Sequence, residues 1–305
     1  MKQRYYSNGK LLLTGEYVVL DGAKAFAFPT KFGQDLIVEP ASGNKIFWKS
    51  FNSDGSIWFD DDFDFDTICN PDYIEKYDSV KSTLLEILHE AYLKNPDFIQ
   101  HSNGWSVATH LTFPKNWGLG TSSTLINNIA QWLRIDAFEL LNNSFGGSGY
   151  DIACAQHDTP ITYRLDNGLA EVQPVAFNPN FADALYFVYL NKKQSSKAAI
   201  ASYYHNRTEG ISRITSKISK ITDAVIEAND LANFAYQLEK HEGILSEILE
   251  MRTVKEALFP DFKGVVKSLG AWGGDFILAA SRENPTSYFN ERGYDTVIPF
   301  SEMIL

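Results

Sequence analysis

This 305-residue chain has few cysteines, no long apolar stretch and few basic residues, and each of these features excludes a class of protein or site. Only two cysteines are present, Cys69 and Cys154, which argues against a disulfide framework and excludes a four-thiolate zinc site. The longest apolar stretches, such as Phe276 to Ala280, are too short to span a bilayer, so no membrane role is expected. With 27 Lys and Arg against 38 Asp and Glu, and no basic block, the chain is not expected to bind nucleic acid.

The N-terminal region also lacks the features of a secretory signal. Lys2 and Arg4 are followed by no uninterrupted apolar stretch, because Glu16 and Asp21 interrupt the run after Lys10. Together with the low cysteine content, this predicts a cytoplasmic protein.

What the chain does have is the composition of a packed globular protein, with 44% hydrophobic and 21% charged residues. Its length predicts two domains. Strands alternate with helices without a regular βαβ period, so we expect an α+β fold in both halves. The boundary is placed between the turns at 166–168 and 178–180, which gives domains 1–172 and 173–305.

Local patterns predict individual elements. Residues 10–20 are interpreted as two strands joined by a Thr-Gly turn, and 46–59 as a β-hairpin with Asp54-Gly55 in its turn. The apolar spacing predicts helices over 79–94, 122–133 and 137–143, and further helices within 196–250. The other predicted strands are 105–113, 161–165, 184–190, 274–280 and 294–299.

The segment from Pro114 to Thr124 is the most informative one. A strand ends at a proline, two glycines allow a tight turn, and hydroxyl side chains precede a helix. Backbone N–H groups at the start of a helix favour a phosphate group. It is not a Walker A loop, because no Gly-Lys-Ser/Thr occurs here. The alternative is an ordinary strand-to-helix turn with a serine N-cap.

A second glycine-rich turn, Gly146 to Gly149, leads into Asp151 at the start of a helix of small and apolar residues. A rigidly held carboxylate there suits catalysis. The alternative is that Asp151 serves only as a helix-capping residue.

The third segment runs from Gly9 to Val19. Lys10 and Glu16 are six positions apart, which would place them on one face of a strand. A lysine that enters a buried strand needs an anionic partner or a ligand. The alternative is that its side chain reaches water from the end of the strand.

Taken together, the three segments resemble motifs of the GHMP kinase superfamily, which includes galactokinase, homoserine, mevalonate and phosphomevalonate kinases. GKLLLTGEYVVLDG is similar to the first motif of mevalonate and phosphomevalonate kinases, and PKNWGLGTSS to the phosphate loop. GSGYDIACA is similar to the segment with the catalytic aspartate, in the form of the GYDIA subfamily. The resemblance implies a two-domain α+β fold with the active site between the N- and C-terminal domains.

The resemblance also implies roles for single residues. Asp151 matches the catalytic aspartate that handles the proton of the acceptor hydroxyl, and Lys10 the lysine that contacts this hydroxyl and the transferring phosphate. Ser122 and Glu139 match the Mg²⁺ ligands. The implied ATP-binding residues are Gly118, Leu119, Gly120, Thr121, Ser122 and Ser123. The resemblance thus implies ATP and Mg²⁺ as cofactors and a small-molecule acceptor as substrate.

A third family motif matches Gly270 to Asp275, but Trp272 and Asp275 replace the usual small residues. This segment either contacts the nucleotide or shapes the acceptor pocket. His241-Glu242 falls on a helical pattern and is interpreted as a surface or packing position.

Mevalonate-pathway intermediates are the leading acceptors. A diphosphomevalonate decarboxylase and a non-catalytic nucleotide or metabolite sensor are the alternatives. The sequence leaves the oligomeric state open, a homodimer included.

Overall fold

The computed structural model describes residues 1–70, 79–193, 196–205, 210–270 and 272–305, in which strands and helices are mixed. The strands are β1 (Gln3–Thr14), β2 (Ala25–Pro40), β3 (Lys45–Phe51), β4 (Ile57–Asp64), β5 (Trp105–Leu111), β6 (Ile161–Asp166), β7 (Leu169–Pro174), β8 (Leu185–Tyr189), β9 (Val265–Ser268), β10 (Phe276–Ala280) and β11 (Val297–Pro299). The α-helices are α1 (Phe65–Cys69), α2 (Val80–Lys94), α3 (Asp97–Gln100), α4 (Thr121–Leu133), α5 (Ala137–Ser144), α6 (Tyr150–Ala155), α7 (Ser196–His205), α8 (Ile211–Ile226), α9 (Leu231–Leu249), α10 (Val254–Leu258), α11 (Thr286–Asn290) and α12 (Phe300–Met303).

Backbone proximity divides the chain into two compact units. Unit 1 consists of Met1–Gly9, Phe32–Lys115 and Leu119–Gln156, and unit 2 of Lys10–Lys31, Asn116–Gly118 and His157–Leu305. The units are interleaved in sequence because β1 and β2 each contribute residues to both. The boundary between residues 172 and 173 stays a prediction.

In unit 1, strands β4, β3, β5 and β2 lie side by side in that order. β3 and β5 pair in parallel, whereas β4 with β3 and β5 with β2 are antiparallel. Helices α2, α4 and α5 contribute to the same apolar core as these strands. In α2 the side chains of Leu84, Leu88 and Ala91 are buried at helical spacing, and the Ser79 hydroxyl caps the first turn. This core supports α4, whose first turn belongs to the predicted phosphate loop.

In unit 2, strands β11, β8, β10 and β9 form an antiparallel sheet in that order. The interior strand β10 is buried along its whole length, which explains its uninterrupted apolar sequence. β6 pairs with β7 and with residues 25–27 of β2. Helices α8 and α9 pack on each other over a cluster that includes Tyr17, Ile218, Leu245 and Trp272. Among the described residues, no helix is long and apolar enough to cross a membrane.

Most of the predicted elements are confirmed, with small shifts in their ends. The helices predicted over 79–94, 122–133 and 137–143 are α2, α4 and α5. The hairpin predicted over 46–59 is the β3–β4 pair, with Gly55 at a φ of 80° in its turn.

The second strand predicted after the Thr14-Gly15 turn is wrong. Gly15 and Tyr17 have φ angles of 90° and 61°, so the chain leaves the extended conformation there. A single 3-10 turn follows at Val18–Asp21. Lys10 and Glu16 therefore do not share a strand face, because β1 ends at Thr14. Strands β2, β7 and β9 were not predicted from the sequence.

Candidate active site

Lys10 reaches the predicted phosphate loop. It lies in the second half of β1 between buried positions, and its own side chain is half-buried. Its ammonium group donates a hydrogen bond to the Gly118 carbonyl oxygen, with 2.9 Å between Nζ and oxygen. The structure thus brings together two residues that the sequence resemblance selected independently.

The turn at residues 116–118 is held from several sides within unit 2. The Tyr189 hydroxyl donates to the Asn116 carbonyl at 3.0 Å. The Trp117 ring packs edge-to-face on Phe276, with 5.4 Å between the ring centroids. Gly118 has a φ of 71°, a left-handed conformation that favours glycine. These contacts fix the backbone immediately before the helix that carries the hydroxyl residues.

Helix α4 begins one residue after a second left-handed glycine. Gly120 is its N-cap at a φ of 95°, so the alternative of a serine N-cap is wrong. The hydroxyls of Ser123 and Thr124 donate back to the Gly120 carbonyl at 3.0 and 2.9 Å. No hydrogen bond of the half-buried Ser122 hydroxyl is found within the residues that the structure describes. The half-buried Thr121 hydroxyl likewise has no hydrogen bond within the described residues, so Thr121 and Ser122 both present hydroxyls suited to a ligand.

A buried polar network, which sequence reasoning missed, anchors α4 to the strands of unit 1. Thr124 Oγ1 lies 2.7 Å from the Gln34 side-chain oxygen, so its one proton is shared between this oxygen and the Gly120 carbonyl. The Asn128 side-chain amide donates to the Gln34 backbone carbonyl at 2.8 Å. The Ser7 hydroxyl bonds to Asn128 and also accepts from Asn127, each at 2.8 Å. Since buried polar groups favour conformations in which they are paired, this network fixes the direction of the helix N-terminus. Polar residues inside an otherwise apolar helix were the available signal.

Asp151 lies in the first turn of α6, as predicted. The N-cap of this helix is Gly149 at a φ of 88°, so Asp151 is not the capping residue itself. Its Oδ1 atom accepts a hydrogen bond from the Ile152 N–H at 3.1 Å, and the side chain is half-buried. A carboxylate in the first turn of a helix is stabilised in its ionised form by the helix dipole.

Glu139, the predicted acidic Mg²⁺ ligand, lies in the first turn of α5. Its carboxylate is 2.5 Å from the Lys94 ammonium, and about half of the Glu139 side chain (53%) is exposed. Among the described residues, no group of three or more His, Cys, Asp or Glu side chains is arranged to hold a metal ion. The assignment of Ser122 and Glu139 as Mg²⁺ ligands therefore stays a prediction.

The third glycine-rich segment contacts the first motif and the phosphate loop within unit 2. The Trp272 N–H donates to the Tyr17 hydroxyl at 2.8 Å. The Asp275 carboxylate lies against Gly118, since a Cβ atom built on Gly118 would be 2.3 Å from its Cγ atom. Residue 271 lies outside the described residues.

Four buried ionisable side chains form a cluster in unit 2, here called the Lys267 cluster: Glu16, His241, Glu242 and Lys267. Lys267 Nζ lies 2.5 Å from Glu16 Oε1 and 3.2 Å from Glu242 Oε2. His241 Nε2 lies 3.4 Å from Glu16 Oε2. None of the four side chains is more than 5% exposed. The interpretation of His241-Glu242 as a surface position is therefore wrong, whereas a packing role is consistent with this burial.

The Lys267 cluster also holds two backbone segments. The Gly15 N–H donates to His241 Nε2 at 2.9 Å, and the Ser268 N–H donates to Glu242 Oε1 at 3.1 Å. Lys267 donates to the Ser268 carbonyl. The cluster thus fixes the turn after the strand of Lys10 and also Ser268, two residues before the third glycine-rich segment.

Burial controls the protonation of this cluster. It raises the pKa of Glu16 to about 7, although Lys267 opposes the shift, and it also raises the pKa of Glu242. Burial and the nearby Lys267 charge hold the pKa of His241 well below its ordinary value. A neutral imidazole agrees with the hydrogen bond that Nε2 accepts from Gly15, so the contact with Glu16 is not an ion pair. Burial alone would lower the pKa of Lys267, but the two carboxylates outweigh it and raise this pKa.

The fold is shared with known kinases. A mevalonate kinase from Methanococcus jannaschii superposes with a TM-score of 0.71 at 15% identity, over 98% of this chain and 97% of the other. The Streptococcus pneumoniae phosphomevalonate kinase in complex with phosphomevalonate and AMPPNP has a TM-score of 0.67 at 18% identity, over 99% and 98%. A Lactococcus lactis galactokinase complexed with galactose has a TM-score of 0.65 at 14% identity, over 98% and 94%.

The chain therefore has the fold of the GHMP kinases, and the predicted α+β fold class is confirmed. No protein-family model matches the sequence, and no curated protein matches it either. At these identities the similarity shows the fold, and the activity has to be argued from the residues of the site.

Proposed function

We propose that this protein is an ATP- and Mg²⁺-dependent kinase that phosphorylates a hydroxyl or phosphate group of a small metabolite in the cytoplasm. The observation that carries the proposal is the hydrogen bond from Lys10 to the Gly118 carbonyl in a chain with this fold. In this hydrogen bond, the lysine that is assigned to the transferring phosphate contacts the loop that is assigned to the nucleotide.

The residues of the loop fit a polyphosphate. The first N–H groups of α4, from Thr121 onward, have no carbonyl partner of their own helix and carry the positive end of its dipole. Gly118 and Gly120 lack side chains, so a phosphate group can approach the backbone of the loop there. Lys10 adds a positive charge at Gly118, the first residue of the loop. These groups are proposed to bind and orient the nucleotide phosphates.

The metal ion is assigned to Ser122 and Glu139. The half-buried Ser122 hydroxyl fits a ligand position, whereas Glu139 would have to exchange Lys94 for the ion. When bound, Mg²⁺ neutralises phosphate charge and stabilises the charge that develops in transfer.

Asp151 is proposed to handle the proton. The acceptor oxygen forms a bond to the γ-phosphorus of ATP while the bond from that phosphorus to the bridging oxygen breaks and ADP departs. The proton of the acceptor passes to the Asp151 carboxylate, whose ionised form the first turn of α6 favours. Phosphoryl transfer consists mostly of positioning and charge stabilisation, so this small set of groups suffices.

Mevalonate-pathway intermediates are the first acceptors to test, because the first motif is most similar to those enzymes and two of the structures that share the fold are a mevalonate and a phosphomevalonate kinase. ADP formation is measured across a panel of mevalonate, phosphomevalonate, diphosphomevalonate, galactose and sugar phosphates. Release of CO₂ with ATP turnover would instead identify a decarboxylase. Nucleotide binding with no turnover on any acceptor would identify a sensor.

Asp151→Asn then tests the mechanism on the acceptor found. We expect unchanged AMPPNP affinity and a loss of about 10²- to 10⁴-fold in kcat, because a positioned general base contributes that much. Asp97→Asn, which removes an exposed carboxylate of unit 1, is the control and should leave kcat unchanged. Near-normal turnover by folded Asp151→Asn would remove this residue from the mechanism.

A further inference from the structure

The first motif bends sharply at Tyr17. This residue has a φ of 61° and a ψ of −50°, and the Val18 N–H donates to the Glu16 carbonyl at 2.7 Å, which makes residues 16–18 a γ-turn. A γ-turn with a positive φ is rare and strained, and a glycine would adopt it more easily than a tyrosine. Such strain persists only where the surrounding contacts hold the residue. We therefore expect the Tyr17 side chain to make contacts that offset the strain.

Within unit 2, contacts on both sides hold this γ-turn. The Lys267 cluster holds the residues before Tyr17, since it accepts the Gly15 N–H and includes the Glu16 side chain. The Tyr17 ring is only 8% exposed and stacks on the buried Tyr203 ring, with 5.8 Å between the centroids and 25° between the planes. Because the backbone and the ring are both fixed, the direction of the Tyr17 hydroxyl is fixed as well.

The Tyr17 hydroxyl holds the third glycine-rich segment. It accepts the Trp272 N–H at 2.8 Å, and Trp272 is buried in the same apolar cluster as Tyr17. The segment is the loop between β9 and β10, and the pairing of these strands fixes its ends, where the Leu269 N–H donates to the Phe276 carbonyl at 3.1 Å. The hydrogen bond from Trp272 to Tyr17 fixes the loop near its middle.

The far end of this loop contacts the phosphate loop. The Asp275 side chain lies so close to Gly118 that a Cβ atom built on Gly118 would be 2.3 Å from Asp275 Cγ. Asp275 is only 8% exposed, and its N–H donates to the Lys192 carbonyl at 2.7 Å. Since closely packed groups transmit displacements, a shift of the loop would move the residue whose carbonyl accepts from Lys10.

We infer that Tyr17 is a positioning residue, whose hydroxyl sets the conformation of the 270–275 loop and thereby holds Asp275 in its place beside Gly118. This role explains why a tyrosine occupies a position whose backbone favours glycine. The effect on the reaction rests on the proposed function, whereas the effect on the loop does not.

The test uses Tyr17→Phe, which keeps the ring and removes the oxygen that accepts from Trp272. Tyr203→Phe is the matched control, because it removes a tyrosine hydroxyl from the same apolar cluster, one that donates to Asp21 at 2.5 Å. Hydrogen–deuterium exchange with single-residue resolution measures the amides of Trp272 and Asp275. The kinetic constants kcat and KM for ATP are measured with the acceptor found, and melting temperatures establish that both variants are folded.

In Tyr17→Phe we expect both amides to exchange about tenfold faster or more, because the loop loses a hydrogen bond near its middle. We also expect kcat to fall by about 10- to 100-fold, with a smaller change in KM for ATP, because a small displacement beside the reacting groups slows transfer. Tyr203→Phe should keep the exchange rates and kcat within about twofold of the parent, because the hydrogen bond that it loses is to Asp21.

Unchanged exchange of the Trp272 and Asp275 amides in Tyr17→Phe overturns the inference. Faster exchange with unchanged kcat also overturns it, since Tyr17 would then be a structural contact only. An equal loss of kcat in Tyr203→Phe overturns it as well, because the loss would then reflect a general loosening of the apolar cluster. A parent protein that phosphorylates no acceptor overturns the proposed function, and the exchange rates then decide the inference by themselves.

Discussion

Lys267 on β9 and Glu16 after β1 form an ion pair of 2.5 Å in which neither side chain is more than 1% exposed. The pair links two segments of the candidate site: Glu16 follows the strand that carries Lys10, and Lys267 precedes the third glycine-rich segment. Glu242 and His241 complete the cluster from α9. Within unit 2, the cluster therefore holds the backbone at Gly15 and Ser268, next to these two segments.

Breaking this pair should destabilise the protein strongly. Lys267→Met leaves Glu16 and Glu242 buried without a cation, and removal of one partner of a buried pair costs about 3–5 kcal/mol. Urea unfolding measures the loss. Lys24→Met is the matched control, because Lys24 pairs with Asp223 at 2.6 Å where both side chains are partly exposed. That variant should lose no more than about 1 kcal/mol. Equal losses in the two variants would contradict the role given to the cluster.

Glu16 should make stability depend on pH in a defined direction. Its pKa rises from 4.5 to about 7 on folding, so between these values the folded state holds a proton that the unfolded state releases. This contribution favours folding as the pH falls from about 7 to about 4.5 and is lost as it rises through the folded pKa. The comparison with Glu16→Gln reports the pH dependence that the Glu16 carboxyl group introduces, including its effect on the neighbouring His241 and Lys267.

The stability of the parent relative to Glu16→Gln should therefore increase on acidification, by up to about 3 kcal/mol across that window. Urea unfolding at a series of pH values measures the difference. Glu239→Gln removes an exposed carboxylate that pairs with Lys255, and its difference from the parent should stay nearly constant over the same window. A difference for Glu16→Gln that shrinks as the pH falls would show that Glu16 is ionised throughout.

Lys10→Met should impair transfer more than binding. The charge acts on groups whose interactions strengthen in the transition state, so we expect native stability and transfer slowed by more than about 100-fold, or roughly 2.7 kcal/mol. Single-turnover transfer to the identified acceptor and AMPPNP affinity are the measurements. Lys31→Met removes a lysine of the same unit that donates to a backbone carbonyl, that of Ser301 at 2.7 Å, and should transfer normally. Transfer by Lys10→Met within a few-fold of the parent would remove Lys10 from the mechanism.

Gly120→Val should abolish nucleotide binding. A β-branched side chain at a φ of 95° strains the turn and blocks the approach of phosphate to the start of α4. Calorimetry with AMPPNP measures affinity, and thermal melting establishes that unit 1 stays folded. Gly55→Val introduces the same residue at a φ of 80° in a hairpin turn of the same unit with open space around it, so it reproduces the strain but should retain affinity. Unchanged affinity in Gly120→Val would refute the assignment of the loop.

The amino-acid sequence by itself determined the local features of the site. Glycines at 118, 120 and 149 and the hydroxyl residues after them predicted where the turns and helix starts lie, because backbone preference depends on the residue and its immediate neighbours. For the same reason Asp151 was placed correctly in a first helical turn. The apolar spacing of α2 and α4 likewise predicted those helices.

Only the tertiary structure decided which distant groups meet. Lys267 and Glu16 are 251 positions apart, and a lysine within the short strand β9 carries no local sign of its partner. The contact of Asp275 with Gly118 likewise depends on strands β8 and β10 pairing beside the turn at 116–118. A buried charge is stable only beside a compensating group, and the fold, not the neighbouring sequence, brings that group into place.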